Sequence, residues 1–188
     1  MMKSVQHQPP SMQKIRIHDK EFVPFLSREA ISERVGELAN ELNLDYAEKA
    51  PLFIAILNGS FIFAADLFRK LTIDAEICFV KMSSYKGTTS TGNIMTTIGL
   101  DVNIQGRDLV LLEDIVDTGN TLNQLLPRLE QAGSRSIRVC ALLHKAEVTK
   151  HPIPELYSGF TIPDRFVIGY GLDYEGKGRN LDGIWQIS

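Results

Sequence analysis

Glu113, Asp114 and Asp117 put three carboxylates within five positions, and Thr118, Gly119, Asn120 and Thr121 follow at once. Paired carboxylates accept hydrogen bonds from a sugar diol or coordinate a magnesium ion, and they repel an anion. Threonine hydroxyls and a glycine backbone do the reverse: they donate to a phosphate and let it approach closely. Diol, metal and phosphate together describe a phosphorylated ribose. Singly, each group has a plainer use, because an acidic residue after a strand often solvates a turn or caps a helix.

The elements around them decide whether they can act together. Leu109 to Leu112 form an apolar run that reads as a buried strand with Glu113 and Asp114 at its tip. Leu122, Leu125, Leu126 and Leu129 then recur at i, i+3, i+4 and i+7, which predicts a helix over about 119–131. The start of a helix presents unpaired N–H groups and a positive dipole end, so the turn at 117–121 is a ready phosphate site. Pro127 lies inside that helix and removes one backbone bond, which predicts a kink or a loosened turn.

The rest of the chain alternates in the same way. Residues 15–25 read as a short strand and turn. Ile31, Val35, Leu38 and Leu42 mark an amphipathic helix with Ser27 as its N-cap. The run at 52–57 is a buried strand broken by Asn58-Gly59, and a helix through Phe61, Ala64, Ala65 and Phe68 follows. Strands are expected at 75–82, 95–100 and 136–143. The Ser-, Thr- and Gly-rich segment 83–93 is expected to be a mobile surface loop. Beyond Glu147, Pro152, Pro154 and Pro163 break the chain before a strand at 166–169 and a Gly-rich end carrying Trp185. Strand–helix alternation predicts an α/β fold, a mainly parallel sheet with helices on both faces.

The 188 residues suit one domain, 1–188, able to bury roughly 70% of its unfolded surface. The 44% hydrophobic content is that of a globular chain, and the net charge of −3 gives no footprint for nucleic acid. No apolar run approaches the ~18–20 residues of a membrane span. Residues 1–13 are polar, read as a flexible start, and lack the apolar core of a signal peptide. Cys78 and Cys140 lie in apolar runs and read as buried reduced thiols. These features predict a soluble, cytoplasmic protein without membrane partners. A P-loop is absent, and Gly169-x-Gly171 and Gly176-x-Gly178 lack the third glycine of a dinucleotide fingerprint.

The acidic stretch and the Asp-Thr-Gly-x-Thr turn closely resemble the phosphoribosyl-diphosphate loop of the type I phosphoribosyltransferases, in the hypoxanthine (hypoxanthine-guanine) branch. Leu57-Asn58-Gly59-Ser60, Ser84-Tyr85, Lys145, Phe166 to Tyr170, Asp173-Tyr174 and Arg179 fit the same family in order. The resemblance implies transfer of a 6-oxopurine to 5-phospho-α-D-ribose 1-diphosphate with Mg²⁺ as cofactor. Glu113 and Asp114 would hold the ribose hydroxyls, Thr118, Gly119, Asn120 and Thr121 the 5-phosphate, and Asp117 the proton at purine N7. Asn58 and Gly59 would offer backbone N–H groups to pyrophosphate through a cis peptide. Lys145 would donate to the purine 6-oxo group, Phe166 stack on the ring, and Val167 contact its edge through the backbone. Asp173, with Glu113 and Asp114, would hold the metal, and Arg179 the pyrophosphate. Ser84 and Tyr85 would close over the reacting centre.

By themselves these residues read more plainly: Lys145 as a solvated strand end, Phe166 as core, Asp173 as a turn residue, and His144 and His151 as structural or exposed. The chain also departs from the family, since Asn58 and Asn120 stand where lysine is common. The resemblance further implies a hood built from about 14–45 and 150–188, and a homodimer or homotetramer. A rival reading is a phosphoribosyltransferase-fold regulator that binds nucleotide or RNA without catalysis. It predicts a basic face and a decayed acidic loop.

Overall fold

The computed structural model describes residues 14–84, 95–98, 102–153 and 155–188. Six strands form the main sheet: β3 (Leu52–Leu57), β4 (Glu76–Ser84), β5 (Met95–Ile98), β6 (Asp108–Val116), β7 (Ser136–His144) and β8 (Leu156–Thr161). Their order is β5-β4-β3-β6-β7-β8, parallel throughout except for β5, which runs antiparallel at one edge. The chain moves outward from β3 to β4 on one side and from β6 to β7 on the other. The C-terminal ends of β3 and β6 therefore border the crevice where strand order reverses, and open α/β sheets bind ligands there.

Burial on both faces explains the unbroken apolar runs. In β3, Phe53 and Ala55 pack on one side with the helices α1 (Arg28–Asp45) and α2 (Phe61–Phe68). Leu52, Ile54 and Ile56 pack on the other with α3 (Asn120–Gln131). The Ser27 hydroxyl caps α1 as expected, accepting from Ala30 N at 3.2 Å. Leu122, Leu125, Leu126 and Leu129 are all buried. A second sheet, order β1-β2-β10-β9, joins β1 (Ile15–Ile17) and β2 (Lys20–Leu26) to β9 (Val167–Ile168) and β10 (Ile184–Ile187). Its own small core is Phe22, Ile168 and Trp185.

Several expectations need correction. The hood is narrower than 14–45 and 150–188: β8 is an edge strand of the main sheet, and α1 packs on that sheet's core. α2 buries Phe63, Ala64 and Leu67, while Phe61 is 43% exposed. Nearly every residue of α2 is apolar, so periodicity could not select its inner face. α3 continues through Pro127; that residue and Asn123, whose carbonyl loses its partner, both face solvent. Cys140 is buried but Cys78 only half-buried. Strand β4 runs on through Ser83 and Ser84, the first residues expected in the loop, and Tyr85 and the rest of that loop lie outside the described residues. So do residues 1–13. Among the described residues no helix is long and apolar enough to cross a membrane.

Candidate active site

Strand β6 runs to Val116, so Glu113 and Asp114 stand inside the strand rather than at its tip. Glu113 is only 6% exposed. Burial, with the Asp114 carboxylate beside it, pushes its carboxyl well above the usual range. Burial also raises Asp114 to about 6; hydrogen bonds from backbone N–H groups, including its neighbour Ile115, and the nearby Arg179 charge oppose the shift. These are carboxylates short of counter-charge, held in place before any ligand arrives.

Asp114 meets the β3 loop directly. A Cβ on Gly59 would lie 1.5 Å from Asp114 Oδ2, so only glycine allows this approach. Gly171, at φ 106°, would bring its own Cβ within 2.0 Å of the Gly59 carbonyl oxygen. Two glycines thus press the β3 loop between the acidic strand and the loop after β9. The Leu57–Asn58 peptide is cis. From the far side, Arg179 Nη1 donates to the Gly171 carbonyl at 2.6 Å, and its Nη2 pairs with Asp173 Oδ1 at 2.6 Å. Gly176 N donates to Asp173 Oδ2 at 2.7 Å. Asn58, Gly59, Asp114, Asp173 and Arg179 are brought to one place from three distant stretches of sequence.

The turn at 117–121 forms a recess of about 70 Å³ lined by Glu113 and by residues 115–122. Gly119 takes φ 80° at the N-cap of α3, a conformation suited to glycine, which swings the chain from strand into helix. Asn120 Oδ1 lies 3.1 Å from His151 Nε2. The Thr149 hydroxyl donates within reach of the Asp117 carbonyl (2.8 Å) and the Lys145 carbonyl (2.9 Å). Lys150 N donates to Thr118 O, and Lys145 N to Val116 O. These bonds tie the turn to the end of β7.

Lys145 is not a solvated strand end, since its side chain is 7% exposed. Its Nζ bonds Asp117 Oδ2 at 3.0 Å and Asp164 Oδ1 at 2.9 Å. Burial works against the ammonium, but bonds to both carboxylates outweigh it and hold its pKa above the ordinary value. Asp164 escaped the sequence reading. Nothing in the sequence announced it: no strand was expected at 156–161, and it is β8, pairing Thr161 with His144, that sets Asp164 beside Lys145.

Phe166 is 43% exposed, against the plain reading of a core phenylalanine. Its ring is braced edge-on by Tyr174 (centroids 5.6 Å, 80°) and at a tilt by Phe22 (6.3 Å, 48°), leaving aromatic surface for a ligand. Val167 is buried, with its backbone paired to Gln186 of β10. Of the expected residues, only Ser84's side chain and Tyr85 fall outside what the structure describes.

Three His, Cys, Asp or Glu residues close enough to hold a metal unaided are not found among the described residues. Mg²⁺ does not need them, because it binds through one or two carboxylates, water and substrate phosphates. Asp173 fits that use: each of its oxygens accepts one bond and keeps a lone pair.

A phosphoribosyl transferase domain model matches residues 25–175. The hypoxanthine-guanine-xanthine phosphoribosyltransferase of Tritrichomonas foetus is 40% identical over 82% of this chain and 85% of its own. The hypoxanthine-guanine enzyme of Bacillus subtilis is 39% identical over 87% and 91%. A crystal structure of a Bacillus anthracis hypoxanthine-guanine phosphoribosyltransferase superposes with a TM-score of 0.81 at 37% identity, covering 92% of this chain and all of that one. With sequence, fold and the acidic crevice agreeing over most of its length, the chain belongs to the phosphoribosyl transferase family and is a transferase enzyme.

Proposed function

We propose that the chain joins hypoxanthine, and guanine beside it, to 5-phospho-α-D-ribose 1-diphosphate, releasing the nucleotide and pyrophosphate. One observation carries the choice of base: a buried ammonium and a carboxylate stand 3.0 Å apart, near the end of one sheet. A 6-oxopurine shows N7 and O6 side by side on one edge. Lys145 donates to O6, and Asp117 accepts the proton at N7 as N9 bonds to C1 of the sugar. Phe166 stacks on the ring and Val167 meets its edge through the backbone.

Glu113 and Asp114 take the ribose hydroxyls, whose donors supply what two crowded carboxylates lack. Thr118, Gly119, Asn120 and Thr121 receive the 5-phosphate at the start of α3. Arg179 offers a planar fork to pyrophosphate, with the Asn58 and Gly59 backbone on the opposite side. Asp173, with Asp114 and Glu113, would hold Mg²⁺, which when bound neutralises the departing pyrophosphate. Ser84 and Tyr85 would close the site to water.

We extend the reading to a cytoplasmic homodimer or homotetramer acting on small molecules. The large exposed side chains of Phe61 and Phe79 support a subunit contact, and light scattering tests it. The regulator reading lacks support, since the acidic loop is intact and the net charge is −3. The deciding experiment is a panel of hypoxanthine, guanine, xanthine and adenine, each with the phosphoribosyl donor, before and after exhaustive chelation. Nucleotide formation from the 6-oxopurines, abolished by chelation and restored by Mg²⁺, is expected. Turnover of adenine alone would overturn the base assignment, and full turnover without metal would overturn the cofactor.

A further inference from the structure

The Lys145 ammonium has two carboxylate partners, and the reaction proposed above uses only one of them. Once Asp117 has taken the N7 proton it is neutral and no longer serves as a counter-ion to Lys145, which it pairs through Oδ2. A buried ammonium that lost its sole counter-ion would resist that transfer, because an unpaired buried charge is costly. Asp164 removes the difficulty. It bonds Nζ at 2.9 Å from the segment that follows β8 and leads into Phe166. An ammonium has three donors. With Asp164 fixed on one, the second can pass from Asp117 to the purine O6 without Nζ ever standing alone.

We infer that Asp164 is a positioning residue that holds Lys145 in place and in charge while Asp117 takes the N7 proton. This rests on the transferase reading above. Asp164 touches neither the base nor the sugar; it acts through Lys145. Its bridge also joins the purine-edge donor to the segment bearing Phe166, so ring stacking and edge recognition share one support. The half-exposed Asp164 carboxylate (56%) reaches bulk water on its outer side, which makes it a tolerable permanent partner for a 7% exposed cation.

The same arrangement gives a test that separates support from catalysis. Asp164→Asn should raise the purine KM roughly 10- to 100-fold, the weight of one charge-assisted hydrogen bond, with the donor KM within about 2-fold. Asp164→Glu, which keeps the charge on a longer arm, should restore much of the loss. In a Lys145→Gln background Asp164→Asn should have almost no further effect, since no ammonium remains to be held. Thermal melts of all variants accompany the kinetics, and an exposed side chain should leave them near wild type. Equal losses in both backgrounds, or a donor KM that rises as much as the purine KM, would overturn the role. An inactive wild type would instead overturn the transferase reading and this inference with it. An active wild type with additive losses overturns the inference alone.

Discussion

Strand β6 carries a buried carboxylate near each end, and the two ends treat it in opposite ways. At the start, Asp108 is 5% exposed, receives Arg135 Nε at 2.9 Å and the Ser136 hydroxyl at 2.6 Å, and is held down at about 2, chiefly by the Arg135 bond. At the finish, burial pushes Glu113 up and Asp114 up to about 6. The two ends of one strand thus give opposite shifts: Asp108 gains donors from Arg135 and Ser136 that outweigh its burial, whereas burial dominates at Glu113 and Asp114. A carboxylate whose donors come from the fold is part of the fold. One left short of donors is waiting for them from a ligand, and such perturbed groups cluster at functional sites.

The largest effect expected from breaking this contrast is at Asp117, the carboxylate of the finishing end to which we assign the N7 proton. Asp117→Asn keeps size and much of the hydrogen bonding, and should lower kcat by about 10²–10⁴-fold with a smaller change in donor KM. Steady-state kinetics decide it; an unchanged kcat would make Asp117 only a partner for Lys145.

Next in size, Asp114→Asn should cut kcat/KM by roughly 10²-fold, the loss expected if, as proposed, Asp114 bonds the sugar and supports the metal. Its melting temperature in chelator should hold or rise, because a poorly compensated buried charge disappears. Gly59→Ala should also cost activity by displacing the Asp114 carboxylate. A fall in stability without a fall in activity at Asp114 would erase the distinction between the two ends.

These contrasts also show what could be read from the residues. The acidic stretch, the glycine turn and the four leucines of α3 were legible because each is local: strand, turn and helix lie within about twenty positions. The parallel sheet followed from the alternation of apolar strand runs, such as the one at 52–57, with helical ones. What stayed hidden depended on partners far along the chain. Asp164 meets Lys145 only because β8 joins the main sheet beside β7, although the sequence put that region in the hood. Lys145 looked solvated because nothing local announces two carboxylates around it. Asp108 attracted no notice because Arg135 lies 27 residues away. The buried face of α2 could not be chosen where nearly every residue is apolar.

At the starting end, Asp108→Asn should destabilise the fold by about 2 kcal/mol near pH 7, as expected from a carboxyl moved from 3.8 to about 2. Because the folded value is the lower one, that contribution is present above pH 4 and is lost as pH falls from about 4 to 2. Urea unfolding of wild type and variant should therefore converge toward pH 2, with kcat/KM at neutral pH unchanged. A gap that persists at pH 2 would assign the effect to packing instead of charge.

The smallest effect sharpens the role of burial at that same end. Arg107 forks onto Glu76, Nη2 to Oε1 at 2.7 Å and Nη1 to Oε2 at 3.2 Å, a geometry comparable to that of Arg135 on Asp108. The Glu76 side chain, however, is 64% exposed, so water competes for both of its oxygens and salt screens the pair. Glu76→Gln should cost less than about 1 kcal/mol, and a double-mutant cycle with Arg107→Gln should give a coupling that fades further in 0.5 M salt. Asp108, sheltered from the same ions, should keep most of its contribution there. If the exposed pair proved as strong as the sheltered one, fork geometry alone would set the strength, and the low exposure of Asp108 would add nothing to it.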